Sequence, residues 1–190
     1  MDYNFLWVPK TTYHRSAQSQ FVVEIFPKIL KNFELIIEIG TFTGAFTLWL
    51  SENKSDNCKI ISYDINPDYC EVNNLKDTEL RIGDCFDIDI MKDIRDLIKN
   101  SGRTLFLCDG GDKELEFRLY SKHLKKNDVI MLHDYSHDDE EYDVIKQRIN
   151  WPTNSESHYK NIERYLPELN LSTYMYDDFK QVLWGSFIKN

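Results

Sequence analysis

Several things are scarce in this 190-residue chain, and each scarcity narrows what it does. Its four cysteines, Cys58, Cys70, Cys85 and Cys108, are scattered, with no Cys-x-x-Cys pair and no metal-type spacing. That pattern argues against a disulfide framework or a thiolate metal site and reads as four reduced thiols in a cytoplasmic protein. Cys108 lies in an apolar run and reads as a small hydrophobe. No apolar run approaches membrane-spanning length, and the first residues hold only four consecutive apolar positions, Phe5 to Val8, so neither a membrane partner nor a secretion signal is expected. Basic residues never run longer than Lys125-Lys126, and the formal net charge is −9. A nucleic-acid partner needs a basic face, so none is expected; a small acceptor fits better than a polyanion. Internal repeats and low-complexity stretches are also missing, which points to one domain.

What is present is a packed-core composition, 42% hydrophobic and 14% aromatic, organised around Leu35 to Leu50. Leu35-Ile-Ile-Glu-Ile39 is a short β-branched run suited to a strand buried on both faces. Gly40 and Gly44 punctuate it, and Ala45 onward resumes as helix. A strand, a glycine turn and a helix put bare backbone N–H groups where they can cradle a polar ligand, although the same pattern also makes an ordinary turn. A second strand, Lys59 to Asp64, ends in an acid 20 residues past Gly44. An acid at that distance can accept both hydroxyls of a ribose, or simply cap a helix.

Those residues resemble the class I S-adenosylmethionine-dependent methyltransferases. Glu38-Ile-Gly40-Thr41-Phe-Thr43-Gly44 is similar to their first motif, Asp64 to the second, and Leu80-Arg-Ile-Gly-Asp84-Cys85 to the third, whose Asp and neighbour flank the adenine. The resemblance runs from about Phe33 to Tyr135. It implies S-adenosylmethionine as cofactor, held by Glu38, Gly40, Thr41, Thr43, Gly44, Asp64, Asp84, Cys85 and Asp109.

Further strands are expected at about Leu80 to Gly83, Arg103 to Asp109 and Asp128 to Asp134. Helices are expected near Asp68 to Lys76, over Asp87 to Asn100 with Ile90, Ile94, Leu97 and Ile98 inward, and over Glu114 to Lys125. Such alternation gives right-handed crossovers and a parallel sheet covered on both faces. Phe21, Val22, Ile25, Phe26, Ile29 and Leu30 form a helical stripe that Pro27 kinks or divides. Ser136 to Glu141 reads as a solvated acidic loop, followed by helices near Tyr142 to Ile149 and Tyr159 to Tyr165, with a turn-rich stretch, Trp151 to Ser157, between them. Two last strands, Leu171 to Tyr176 and Gln181 to Ile188, flank Asp177-Asp178 as a hairpin. The expected fold class is therefore α/β, a Rossmann-like, doubly wound, mostly parallel seven-stranded sheet with a C-terminal antiparallel hairpin. Residues 1–32 form an arm and helix packed on the domain, the aromatic arm being either a surface strap or a flap over the site, and residues 33–190 form the domain itself. Aromatic residues near the start also allow a homodimer.

Ligands of open parallel sheets bind outside the carboxyl ends of the strands. If the fourth and fifth strands are neighbours, Asp109, His133 and Asp134 meet at one rim. Carboxylates suit a divalent ion, and an added imidazole tilts the set toward Mn²⁺; equally, Asp109 only caps or orients and His133 is a satisfied core-edge residue. The Asp-Gly and His-Asp-Tyr runs here are similar to those of the macrocin O-methyltransferase and cephalosporin hydroxylase subgroup. That resemblance implies a divalent metal, Mg²⁺ or Mn²⁺, on Asp109, His133 and Asp134, although His133 stands where an acid is common. It further implies O-methylation of a small hydroxylated acceptor such as a sugar, with Asp109 as a catalytic residue, while Asp112 stands where the family often has a His. Asp112 is the candidate base, with a helix N-cap as its plain alternative. Metal-independent methyl transfer and a non-catalytic nucleotide-binding module are the competing readings. A dehydrogenase is disfavoured by the glycine spacing.

Overall fold

The computed structural model describes residues 5–7, 15–19, 21–72, 75, 77–148 and 157–190. The expected arm, Met1 to Arg15, and the turn-rich stretch, Trp151 to Ser157, fall largely outside them. Of these, only Phe5–Trp7, Arg15 and Ser157 are described, Phe5–Trp7 as a short strand paired with Arg15–Ser19 and Ser157 as the start of the short strand Ser157–His158.

Seven strands make the central sheet: β1 (Leu35–Ile39), β2 (Lys59–Asp64), β3 (Thr78–Ile82), β4 (Thr104–Cys108), β5 (Val129–Leu132), β6 (Leu171–Thr173) and β7 (Gly185–Lys189). Their order is β6-β7-β5-β4-β1-β2-β3. β1 pairs in parallel with both β2 and β4, and β7 alone runs against its neighbours. Chain order therefore reverses between β1 and β4, the switch point at which an open sheet leaves a crevice.

Burial explains the strand sequences. All five residues of β1 and of β4 are buried, because each strand is covered on both faces. On one face Ile36, Leu105, Leu107 and Met131 pack with α1 (Ala45–Asn53) and with two helical turns, Val22–Ile25 and Pro27–Leu30. Pro27 divides the predicted stripe into those two turns, since it has no N–H to continue the first. Phe26, at the break, is fully buried and meets Phe46, Trp49, Phe179 and Trp184 at ring-centroid distances of 5.4–6.4 Å. Edge-to-face pairs of this kind add about 0.5–1.5 kcal/mol each beyond the area they bury. On the other face Ile37, Phe106 and Ile130 pack against α2 (Ile88–Asn100) and α3 (Lys113–Tyr120). Ile94 and Ile98 of α2 are fully buried, with Ile90 and Leu97 half-buried beside them.

Four expectations need correction. The helix expected near Asp68 is a single 3₁₀ turn, Pro67–Tyr69, which the Asn66 side chain caps by accepting from Asp68 N–H at 3.0 Å. The helix expected as far as Lys125 ends as α3 at Tyr120 and a 3₁₀ turn, Ser121–His123. The acidic loop is only partly loop: α4 (Asp139–Arg148) begins inside it, with Asp138 accepting from Glu141 N–H at 2.8 Å and acids in its first turn, where the helix dipole favours them. The Ile149 end expected for that helix lies outside the described residues. The C-terminal strands do pair antiparallel, yet no tight hairpin joins them. A helical turn, Tyr176–Phe179, and a 3₁₀ turn, Lys180–Val182, intervene, because this connection carries Phe179, Val182 and Trp184 into the core. Among the described residues no helix is long and apolar enough to cross a membrane.

Candidate active site

The switch point is built first from backbone. Gly40 has φ +93° and Gly44 φ +78°, left-handed values that glycine adopts without strain. A Cβ on Gly40 would lie 2.3 Å from the Asp109 carbonyl oxygen, so only glycine lets the ends of β1 and β4 approach this closely. Between the glycines Phe42 also takes positive φ, and its N–H donates to Asp64 Oδ2 at 2.7 Å. Asp64 Oδ1 accepts from Asn66 N–H at 2.9 Å. A carboxylate has about four lone-pair positions, so two remain for a diol.

Beneath the loop lies a buried hydroxyl network. Glu38 Oε2 accepts from Thr47 at 2.6 Å and from Ser62 at 2.5 Å, and the Ser62 hydroxyl meets that of Thr41 at 2.6 Å. Burial pushes the Glu38 carboxyl up to about 8 against the pull of the two hydroxyls. Glu38 and Thr41, expected as cofactor contacts, are thus 1% and 4% exposed and hold the loop from below. Thr43 Oγ1 accepts from Ala45 N–H at 3.4 Å at the start of α1. Past β3, Asp84 is exposed and accepts from Phe86 N–H at 2.9 Å, while the carbonyl of buried Cys85 accepts from the Tyr120 hydroxyl. Burial, helped by Glu116 and Asp84, holds the Cys85 thiol well above its ordinary pKa.

On the other side of the crevice the site is made of side chains. β5 ends at Leu132 and Asp134 turns left-handed at φ +52°, which lets the adjacent His133 and Asp134 face the same point. His133 Nδ1 lies 2.8 Å from Asp109 Oδ1 and 3.6 Å from Asp134 Oδ2, and its ring packs on Trp184 at 4.9 Å. Asp109, His133 and Asp134 offer ligand atoms within 4.8 Å of one another. Three residues that sequence reasoning missed complete the cluster. Gln18 Nε2 donates to Asp109 Oδ2 at 2.9 Å, while its carbonyl oxygen accepts from Trp184 Nε1–H at 2.8 Å. The Lys113 ammonium lies 3.3 Å from Asp134 Oδ2 and 4.0 Å from Asp109 Oδ1, with only 5% of its side chain exposed. Lys113 stands one turn past Asp109, the single sequence signal that it was present; Gln18 and Trp184 had none.

Electrostatics follow from this packing. Burial pulls Lys113 and His133 down, but Asp134 and Asp109 outweigh it and leave both pKa values above ordinary. Burial raises Asp134, and His133 with Lys113 bring it below the ordinary value. Asp112, expected as base, sits instead outside the cluster as the exposed N-cap of α3, accepting from Leu115 N–H at 3.0 Å. By spacing alone the three ligand atoms of Asp109, His133 and Asp134 could hold a divalent ion, but the cation found among them disfavours one. The Lys113 ammonium, 3.3 Å from Asp134 Oδ2 and 4.0 Å from Asp109 Oδ1, already places a positive charge among the carboxylates.

The FtsJ-like methyltransferase family model matches residues 19–133. No curated protein sequence matches the chain. Among solved structures, cmcI-N160 with SAH is similar at 14% identity and a TM-score of 0.59, covering 96% of this chain and 84% of its own. TomG from Streptomyces achromogenes, an O-methyltransferase of tomaymycin synthesis in complex with SAM, gives 13% identity, a TM-score of 0.53 and coverages of 95% and 83%. An O-methyltransferase from Bacillus cereus in complex with SAH gives 17%, 0.51, and 90% and 78%. At such identities the likeness is one of fold.

Proposed function

The chain belongs to the FtsJ-like methyltransferase family and is a class I S-adenosylmethionine-dependent enzyme; on that premise we propose that it methylates a hydroxyl of a small acceptor, a sugar being one candidate, without a metal ion. The observation that carries the reading is the meeting of two ionisable carboxylates, Asp109 and Asp134, at the rim beside the glycine loop. In this reading Asp64 accepts the ribose hydroxyls, and the loop glycines admit the methionine portion against bare backbone. Asp84 and Cys85 border the adenine. The sulfonium already activates the methyl group, so what remains for the protein is to aim the acceptor oxygen at it and receive the acceptor's proton. Asp109, with 16% of its side chain exposed, is the rim carboxylate that receives this proton, while Asp134, held below its ordinary pKa by His133 and Lys113, orients the acceptor. As the oxygen–carbon bond forms, the sulfur–carbon bond breaks and S-adenosylhomocysteine leaves. The likeness to O-methyltransferases such as TomG supports oxygen as the acceptor atom.

Calorimetric titration with S-adenosylmethionine tests the donor, and mass spectrometry of reactions with a panel of hydroxylated acceptors tests the transfer. Saturable binding of the donor, one methyl added to an acceptor, and loss of turnover in Asp109→Asn are expected. Binding of NAD in place of S-adenosylmethionine would overturn the reading. Donor binding with no transfer to any acceptor class would favour the nucleotide-binding module.

A further inference from the structure

Lys113 stands where physical chemistry gives a lysine little reason to be. It is the first residue of α3, and the N-terminal end of a helix repels cations. Its side chain is 5% exposed, although lysines at such positions ordinarily snorkel to water. Instead Nζ turns inward, 3.3 Å from Asp134 and 4.0 Å from Asp109. His133 closes the third side at 2.8 Å from Asp109. The donor atoms that converge on one point are therefore served by a covalently attached cation.

We infer that Lys113 is the resident cation of this rim: its ammonium fills the position a divalent ion would need between Asp109 and Asp134, holds the two carboxylates together, and closes the site to metal. Lys113 is on this account a positioning residue, acting through the carboxylates that meet the acceptor. The inference deepens the proposed function at the same site, yet its test does not depend on the acceptor. Because unit charges about 4 Å apart interact strongly even at a protein rim, neutralising the lysine should change cation affinity by about 100-fold or more.

The experiment is Mn²⁺ titration of the whole chain, followed by electron paramagnetic resonance of the free ion. The wild type should show no stoichiometric site. Lys113→Gln, which keeps much of the side chain without the charge, should gain one Mn²⁺ per chain, and the double variant with Asp134→Asn should lose it again. Lys113→Arg, which keeps the charge, should stay closed to metal. One tightly bound Mn²⁺ in the wild type would overturn the inference without any variant having to fold. So would a folded Lys113→Gln protein that binds none. Titration of the same samples with S-adenosylmethionine separates the two ideas: a failure of donor binding counts against the proposed function, and a failure of the metal pattern against the built-in cation.

Discussion

The two sides of the crevice are made of different materials. The β1–β2 side is backbone: two glycines and a left-handed Phe42 whose N–H reaches Asp64, all within residues 40–64. The β4–β5 side is side chains brought from Gln18, Asp109, Lys113, His133, Asp134 and Trp184, the first and the last standing 166 positions apart in the chain. A backbone site needs a particular local geometry, whereas a side-chain site needs distant elements to be packed correctly. Substitutions on the two sides should therefore fail in different ways.

The largest effect is expected from Lys113→Ala. Removing the ammonium leaves Asp134 with only His133 beside it, at a cost of about 3 kcal/mol in urea unfolding, the lower end for a broken buried pair because Asp134 is partly exposed. S-adenosylmethionine affinity of the remaining folded protein should be nearly unchanged. A large loss of donor affinity at full stability would dissolve the distinction between the two sides.

Next come the buried acids, one on each side. Glu38 and Glu116 are each pushed up to about 8 by burial, from an ordinary 4.5. An acid whose folded pKa is raised holds its proton more tightly in the folded state. Its stabilising contribution is present in full below the unfolded pKa and is lost as pH rises through about 8. Wild-type melting temperature should fall across that window. Glu116→Gln should flatten the fall and raise stability at the alkaline end, the more so because Glu116 Oε1 has no hydrogen-bond partner among the described residues. Identical slopes in variant and wild type would mean that Glu116 ionises freely.

On the backbone side, Asp64→Ala should weaken S-adenosylmethionine binding by roughly 1–3 kcal/mol, the worth of charge-assisted hydrogen bonds. The folding free energy should change less than the binding energy, which chemical denaturation would check. Equal affinity in the two proteins would remove Asp64 from the ribose role.

Smallest is Asp112→Ala, which should lower stability by about 1 kcal/mol, as loss of an N-cap does, with turnover little changed. Turnover abolished at full stability would return Asp112 to the role of base and extend the side-chain site beyond the cluster.

Read along the chain, Leu35–Ile39 and Lys59–Asp64 declare themselves by β-branched runs, and Gly40, Gly44 and Asp64 by their spacing, because every one of those constraints is local. Pro27 likewise announced the division of its helical stripe, since a missing N–H acts on its own turn. Asp177-Asp178 misled as a hairpin turn. The decisive fact was non-local: Phe179, Val182 and Trp184 had a core to enter, which the turn residues beside them do not reveal.

By itself, then, the sequence determined a seven-stranded, mostly parallel sheet with a glycine turn and an acid at the ends of its first two strands. Periodicity, β-branching and glycine's access to positive φ act over a few residues and need no knowledge of neighbours. Only the tertiary structure decided that Gln18 clamps Asp109 and Trp184, that Glu38 and Thr41 lie beneath the loop, and that Lys113 turns inward to the carboxylates. A lysine at the start of a helix is free to reach water or a buried acid. Which it does depends on the crossovers that set β5 beside β4, a contact between segments far apart in the chain.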